Sequence, residues 1–219
     1  MNRFFAYFKD QMLFSPSRAH RIIRYCVIFL IAFELLNFGR ALSFTVEFTW
    51  LGLVLTSLFS YILLEGANYH HIKREGRELH WSLWLLVGIA LSLDLAADLF
   101  GLYSRFPWYD SFLHFLSSGI VCAAFFFAAS SFLKGRRGLS ILLSASSTLA
   151  LSALYEVEEY TEDLVFHTNR LGPGTDTAND LLWNALGVAV AASACAMLAW
   201  RRKRSSETEG VQKLKLEKN

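Results

Sequence analysis

WSLWLLVGIALSLDLAADLFGLY, residues 81–103, carries no charged residue as far as position 93 and then sets Asp94 and Asp98 one helical turn apart near its end. An amphipathic helix of a soluble protein keeps a polar stripe, whereas this stretch is apolar on every side, as a helix immersed in lipid is. About 20 such residues cross the ~30 Å hydrocarbon layer of a bilayer. Working outward, five more segments meet the same test: about 22–40, 46–65, 109–133, 138–160 and 179–200. The expected fold class is therefore all-α, a polytopic membrane helix bundle of six transmembrane helices.

Composition agrees. Of 219 residues, 54% are hydrophobic, and 19 Phe, 8 Tyr and 6 Trp exceed what a soluble domain of this size buries. Cys26, Cys122 and Cys195 each lie in an apolar run without the spacing of a metal knuckle, so free thiols are expected. The first span could be a signal-peptide core, but Glu34 interrupts it and Ala41-Leu42-Ser43 is a poor cleavage site; an uncleaved span is expected.

Lys and Arg set the orientation. Eighteen fall before span one, between spans two and three, between four and five, and after span six. Only Arg40, Arg105 and Arg170 fall on the other side. By the positive-inside rule both termini are cytoplasmic, N-in/C-in, in the plasma or inner membrane. Residues 1–20 read as an amphipathic inner-leaflet segment, with a short helix over 3–14 ended by Ser15-Pro16-Ser17. Residues 21–201 form the transmembrane domain, and 202–219 read as a disordered cytoplasmic tail. Trp81 and Trp84 on one side, with Trp108 and Tyr109 on the other, suit aromatic belts.

Acidic residues concentrate at the non-cytoplasmic level, twelve of the nineteen. Asp94 and Asp98 are i,i+4; Asp110 and His114 are i,i+4; Glu156 and Glu159 are i,i+3; Asp176, Asp180 and Asn184 form a stripe entering span six. Such spacings share a helix face. Asp110, Asp176 and Asp180 also suit a plain capping role, and Thr177-Ala178-Asn179-Asp180 has the form of a capping box. That reading fails for Asp94, Asp98, Glu156 and Glu159, because a helix C-terminus repels anions. These four require a cation, a shared proton or water, with Arg105, Arg170 and His167 as available partners. The loop over 161–178, with its Gly172-Pro173-Gly174 turn, reads as a binding loop. His20, His70, His71 and His80 read as solvated interface residues. Asp110-x3-His114 ahead of Gly119 faintly echoes Asp180-x3-Asn184 ahead of Gly187.

Three motifs in this order carry a family likeness: Trp108-Tyr109-Asp110-Ser111-Phe112-Leu113-His114-Phe115, Tyr155-Glu156-Val157-Glu158-Glu159, and Asp180-Leu181-Leu182-Trp183-Asn184-Ala185-Leu186-Gly187. Over about residues 80–200 the chain resembles the YjdF-like bacterial membrane proteins and, more distantly, the VanZ-like family associated with glycopeptide resistance. The resemblance implies a fold and a site more than an activity.

Carboxylates with a histidine suit Mg²⁺, Mn²⁺, Ca²⁺ or Zn²⁺. One expectation is a metal-dependent enzyme acting on a lipid or lipid-linked envelope substrate. Its expected metal ligands are Asp94, Asp98, His114, Glu156, Glu159, Asp176 and Asp180, and its expected catalytic groups are Asp110, His114, Glu156 and Glu159. A cation or proton transporter and a non-catalytic ligand-binding protein are the alternatives. Against transport, the inner halves of the spans look nearly free of charge, with Glu65 the main exception. Membrane lipids are the expected partners, and no nucleic-acid signature is present.

Overall fold

A computed structural model describes residues 17–168, 170–172 and 174–216, with side chains as far as Arg201. The proposed 3–14 helix lies outside the described residues, as does Pro173. Among the described residues there are seven helices and no strand: α1 Arg18–Phe38, α2 Trp50–Glu75, α3 Ser82–Phe100, α4 Leu102–Arg105, α5 Tyr109–Phe132, α6 Arg137–Phe166 and α7 Asp176–Leu216. Five of them, namely α2, α3, α5, α6 and the Asp176–Arg201 section of α7, are long and apolar enough to cross a membrane. Helix α1 falls short of that test because Arg18, Arg21, Arg24 and Glu34 lie among its 21 residues.

The bundle is built inside out relative to a soluble protein. Large apolar side chains face outward: Phe29 on α1, Ile62 on α2, Leu142 and Leu154 on α6, and Val190 on α7. Polar side chains face inward, as on α6, whose buried stripe runs Ser140, Ser144, Thr148, Glu156, Glu159 and Glu162. With lipid outside, the apolar exterior costs nothing, and interior polar groups hold the helices together.

Helices α1, α2 and α3 pack around Val27, Ile31, Tyr61, Leu64, Leu79, Leu83 and Trp84. Beside them, α5 packs most extensively against α7 and then α6. The faint sequence echo has a physical meaning in the α5–α7 pair. The two helices run parallel, with Gly119 facing Gly187 and Ser118 Oγ donating to the Asn184 carbonyl at 3.1 Å. A Cβ on Gly187 would collide with the Phe115 carbonyl, which is backbone and cannot yield, whereas one on Gly119 would stand 3.4 Å from the Gly187 carbonyl. Gly187→Ala is therefore expected to cost about 1–3 kcal/mol, as overpacking does. The melting temperature in detergent should fall further for it than for Gly119→Ala.

Several expectations are corrected at the end of the bundle remote from the acids. His20 and His71 are buried, not solvated, and Trp84 is 0% exposed, so it belongs to no aromatic belt. They surround an ion network. Arg24 donates through Nε and Nη2 to the two oxygens of Glu65, each at 2.8 Å. Trp84 Nε1 donates to Glu65 Oε1 at 2.9 Å, and His20 Nδ1 stands 2.8 Å from Glu78 Oε2. Glu65, the main exception expected in the inner halves, is thus the centre of charges that pair between helices instead of reaching for solvent. The backbone of α7 stays helical to Leu216. Arg, Lys, Glu, Gln and Leu dominate that stretch and all favour helix.

Candidate metal centre

The parallel α5–α7 pair sets two helix N-termini side by side, and each brings an aspartate and a second polar residue one turn further in. His114 Nε2 lies 3.5 Å from Asp110 Oδ1 and 3.8 Å from Asp180 Oδ1. On the other edge of the ring, His114 Nδ1 and Asn184 Nδ2 are 3.1 Å apart. Asn184 thus fixes the orientation of the imidazole, as the outer partner of a metal-binding histidine does. One donor atom each from Asp110, His114 and Asp180 lies within 4.8 Å of the others. Ligands at the usual 2.0–2.2 Å from a small divalent ion stand roughly 3–3.5 Å apart. The two distances from His114, 3.5 and 3.8 Å, are close to that spacing, and the set would draw together around such an ion.

Helix α6 completes the surround. Glu156 is 5% exposed, and both its carboxylate oxygens are buried without a hydrogen-bond partner; Asp180 Oδ1 is buried and unpartnered too. His114, Asp110 and Asp176 all lie within electrostatic reach of Glu156. The centre therefore gathers four acids around one imidazole. Unpaired buried carboxylate oxygens are costly, so this arrangement has the charge and donor types of a cation site.

Residues 19–203 match the family described as Predicted membrane protein (DUF2238). The chain belongs to this family. No curated protein and no solved structure matches. This DUF2238 protein is an integral, multi-pass membrane protein, and its Asp110–His114–Asp180 grouping lies inside the matched region.

A second polar network adjoins the first and takes up the remaining acids. Arg170 reaches back from the α6–α7 loop, donating through Nε to Glu159 and through Nη1 to Glu162, each at 3.0 Å, and through Nη2 to the Tyr155 hydroxyl. Its guanidinium also stacks over Phe48 and Tyr155, 5.4 and 5.3 Å from the ring centres. Burial alone would lower its pKa, but Tyr155 and the acids Glu159, Asp94 and Glu158 outweigh that and hold it well above the usual range. The cluster presses against α2 at Gly52, where a Cβ would lie 2.8–2.9 Å from Arg170, Glu158 and Glu162, so a larger residue would have to displace the ends of these side chains. Asp163 ties down the loop itself, accepting from the backbone N–H of Arg170 at 2.7 Å and of Leu171 at 3.0 Å.

The eight residues expected from sequence thus divide. Asp110, His114 and Asp180 come together, with Glu156 beside them and Asp176 at the rim. Glu159 borders the same centre but is held by Arg170. Asp94 and Asp98 belong to the second network. Asp94 accepts from the Tyr103 hydroxyl at 2.9 Å, and Asp98 Oδ1 accepts from the Phe48 N–H at 2.9 Å, anchoring the α1–α2 connection. Burial raises the pKa of the Tyr103 phenol, and the Asp94 charge raises it further, so the phenol remains a hydrogen-bond donor. Arg105 and His167 are exposed. The capping-box reading of Thr177 gives way as well: α7 begins at Asp176, and Asn179 Nδ2 instead donates to Ser111 Oγ at 2.8 Å, joining α7 to α5. Asn184, Tyr155 and Ser111 were not singled out as partners by sequence reasoning; the four-residue spacing of Asn184 from Asp180 was the available signal.

Proposed function

We propose that Asp110, His114 and Asp180, completed by Glu156, bind one divalent metal ion at the extracytoplasmic end of a six-span bundle. In this reading the protein is a metal-dependent hydrolase of the plasma or inner membrane, acting on phosphate or acyl esters of a lipid or lipid-linked envelope substrate. The observation that carries it is the gap between donors and partners: three converging donor atoms, with unpartnered oxygens on Asp180 and Glu156. When bound, the ion would polarise the ester and lower the pKa of a coordinated water. Glu156, buried beside the three donors with Thr177 and His114 as its neighbours, is the group assigned to accept the proton from that water. Glu159 contributes charge from beside it while fixed by Arg170, and Asn184 holds the His114 ring. The motif order shared with YjdF-like and VanZ-like proteins favours a common site architecture.

Topology enters on the same footing. Counting α1 as a span gives both termini a cytoplasmic location and puts eighteen of the Lys and Arg there. Its charge is no obstacle, because Arg24 and Glu34 are buried against other helices while Ile22, Tyr25, Phe29 and Leu36 face outward. A lipid-bathed helix distributes its residues in this way.

The test is the metal content of the detergent-purified protein and of Asp110→Asn, His114→Ala and Asp180→Asn variants. The wild type is expected to hold a divalent metal in near-stoichiometric amount, and each variant to lose it while keeping its elution profile. A saturating ion at about 100 times its dissociation constant stabilises the folded state by about 2.7 kcal/mol, so a chelator should visibly lower the melting temperature. A metal-free wild type that is indifferent to chelator and to added Mg²⁺, Mn²⁺, Ca²⁺ and Zn²⁺ would end this reading.

A further inference from the structure

Away from the metal centre, buried polar groups occur at every level of the α1–α2–α3 half. Helix α2 carries Ser57, Tyr61, Glu65 and Asn68 on its buried face, three or four residues apart, a continuous polar seam along a helix whose other faces are greasy. Helix α1 faces it with Arg24 at one end and Glu34 towards the other, separated by Val27 and Ile31. Glu65 is satisfied by Arg24 and Trp84. Glu34 is not. It is 0% exposed, accepts one hydrogen bond from Ser57 Oγ at 3.1 Å, and leaves Oε2 buried without a partner. The groups facing it from the neighbouring helices are the Ser57 hydroxyl on α2 and the Asp94 carboxylate on α3.

An anion in that position has another acid and no cation as its neighbouring charge, which makes a permanent ion there costly. A purely structural requirement would be met as well by glutamine, which could also donate. An acidic group inside a membrane helix that lacks an ion partner is a functional candidate by default, and proton relays are built from such groups. The geometry extends in both directions from Glu34. Towards the metal-centre end lies Asp94. Towards the far end, Tyr61 and then Glu65 follow Ser57 one turn at a time, about 12 Å in all at 1.5 Å per residue. Side chains in a helix lean towards its N-terminus, which tilts Tyr61 towards Ser57 and Glu34. Beyond Glu65, Arg24, Glu78 and His20 lead to the start of α1.

We propose that this seam is a proton path across the bundle, with Glu34 as the embedded carrier and Tyr61 as the bridge to Glu65. A proton passes from the Asp94 side onto the free oxygen of Glu34. It leaves by way of the Ser57 and Tyr61 hydroxyls to Glu65, with water filling any gap. Each hop breaks one O–H bond and forms another, so no redox partner is involved and only the proton is displaced. The path uses none of the proposed metal ligands and stands or falls independently of them.

The test reconstitutes the full chain into liposomes with a trapped pH-sensitive dye and imposes a potassium diffusion potential through valinomycin. Wild-type vesicles are expected to change internal pH faster than protein-free ones. Glu34→Gln should bring the rate down to that of protein-free vesicles, and Tyr61→Phe should slow it while leaving Glu34 in place. Asp110→Asn should retain the wild-type rate, which separates this result from any failure of the metal reading. Infrared difference spectra on changing pH should show a buried carboxylic C=O band that Glu34→Gln removes. Wild-type flux no faster than protein-free vesicles, or undiminished flux in a folded Glu34→Gln variant, would overturn the proposal.

Discussion

Arg24→Ala is expected to lower the unfolding free energy by about 3–5 kcal/mol, the cost of removing one partner from a buried ion pair. Arg24 is 2% exposed and gives Glu65 two hydrogen bonds, while its guanidinium carbon sits 4.8 Å over the Trp84 ring. Truncation removes two of the hydrogen bonds to Glu65, which keeps the Trp84 indole N–H, and takes one cation away from Glu78, which keeps its contact with His20. The measurement is an SDS titration in mixed micelles, followed by tryptophan fluorescence, with Trp84 as an internal reporter of this network. A double variant, Arg24→Met with Glu65→Leu, should recover most of the loss, because an apolar pair of similar volume removes the stranded charge along with its partner. If the double variant were no better than Arg24→Ala, the pair would contribute by more than charge compensation.

That network marks where sequence reasoning stopped. Helix existence was legible because lipid imposes a strong rule, long stretches without charge, and α2, α3, α5, α6 and α7 all follow it. The acidic end was legible too, since i,i+4 and i,i+3 spacings describe a helix face before any packing is known; Asp110 with His114 and Glu156 with Glu159 needed nothing more. Partners across helices were not legible. Nothing in the spacing of Asp94 and Asp98 says that they serve Tyr103 and the Phe48 backbone, while the aspartate four residues before His114 adjoins the cluster with Asp180. Likewise, Arg170, Arg105 and His167 were equal candidates as cations, and packing alone selects Arg170.

The charges of α1 misled for a different reason. Charged and polar side chains near helix ends usually extend towards water, and on that ground His20 and His71 read as interface residues. Arg24 is only six residues inside α1, close enough to the end to fit that expectation, yet Glu65 from α2 and Glu78 from the next connection close over it. A single helix reads the same whether its terminal charges face solvent or another helix. The echo between Asp110-x3-His114 and Asp180-x3-Asn184 shows the converse. Too short to weigh as sequence, it gains meaning once Gly119 and Gly187 let the two helices lie side by side and bring the paired positions into contact.

Arg170→Ala should be the most damaging substitution at the other end, again about 3–5 kcal/mol, because it strands Glu159 and Glu162 in a buried setting. It should also do something that Arg24→Ala does not. Arg170 stands in the loop between α6 and α7, and its side chain, alongside the backbone ties to Asp163, joins that loop to Glu159, Glu162 and Tyr155 of α6 and to Phe48 of the α1–α2 connection. Glu159 borders the proposed metal centre, within electrostatic reach of His114 and Asp110. Freed from Arg170, it adds an unbalanced negative charge there, which strengthens cation attraction but relaxes the geometry of α6 that positions Glu156. These effects oppose one another in affinity but not in selectivity. A looser site, whether or not the charge is kept, should bind Ca²⁺ relatively better against Mg²⁺, since Ca²⁺ accepts irregular oxygen shells and Mg²⁺ demands a near-ideal octahedron. Calorimetric titration of both ions into wild type and Arg170→Lys, which keeps the charge but loses the forked contacts, checks this. An unchanged Ca²⁺ to Mg²⁺ ratio in a folded Arg170→Lys protein would mean that the loop network and the metal centre are structurally separate, and that Arg170 serves only to hold the fold.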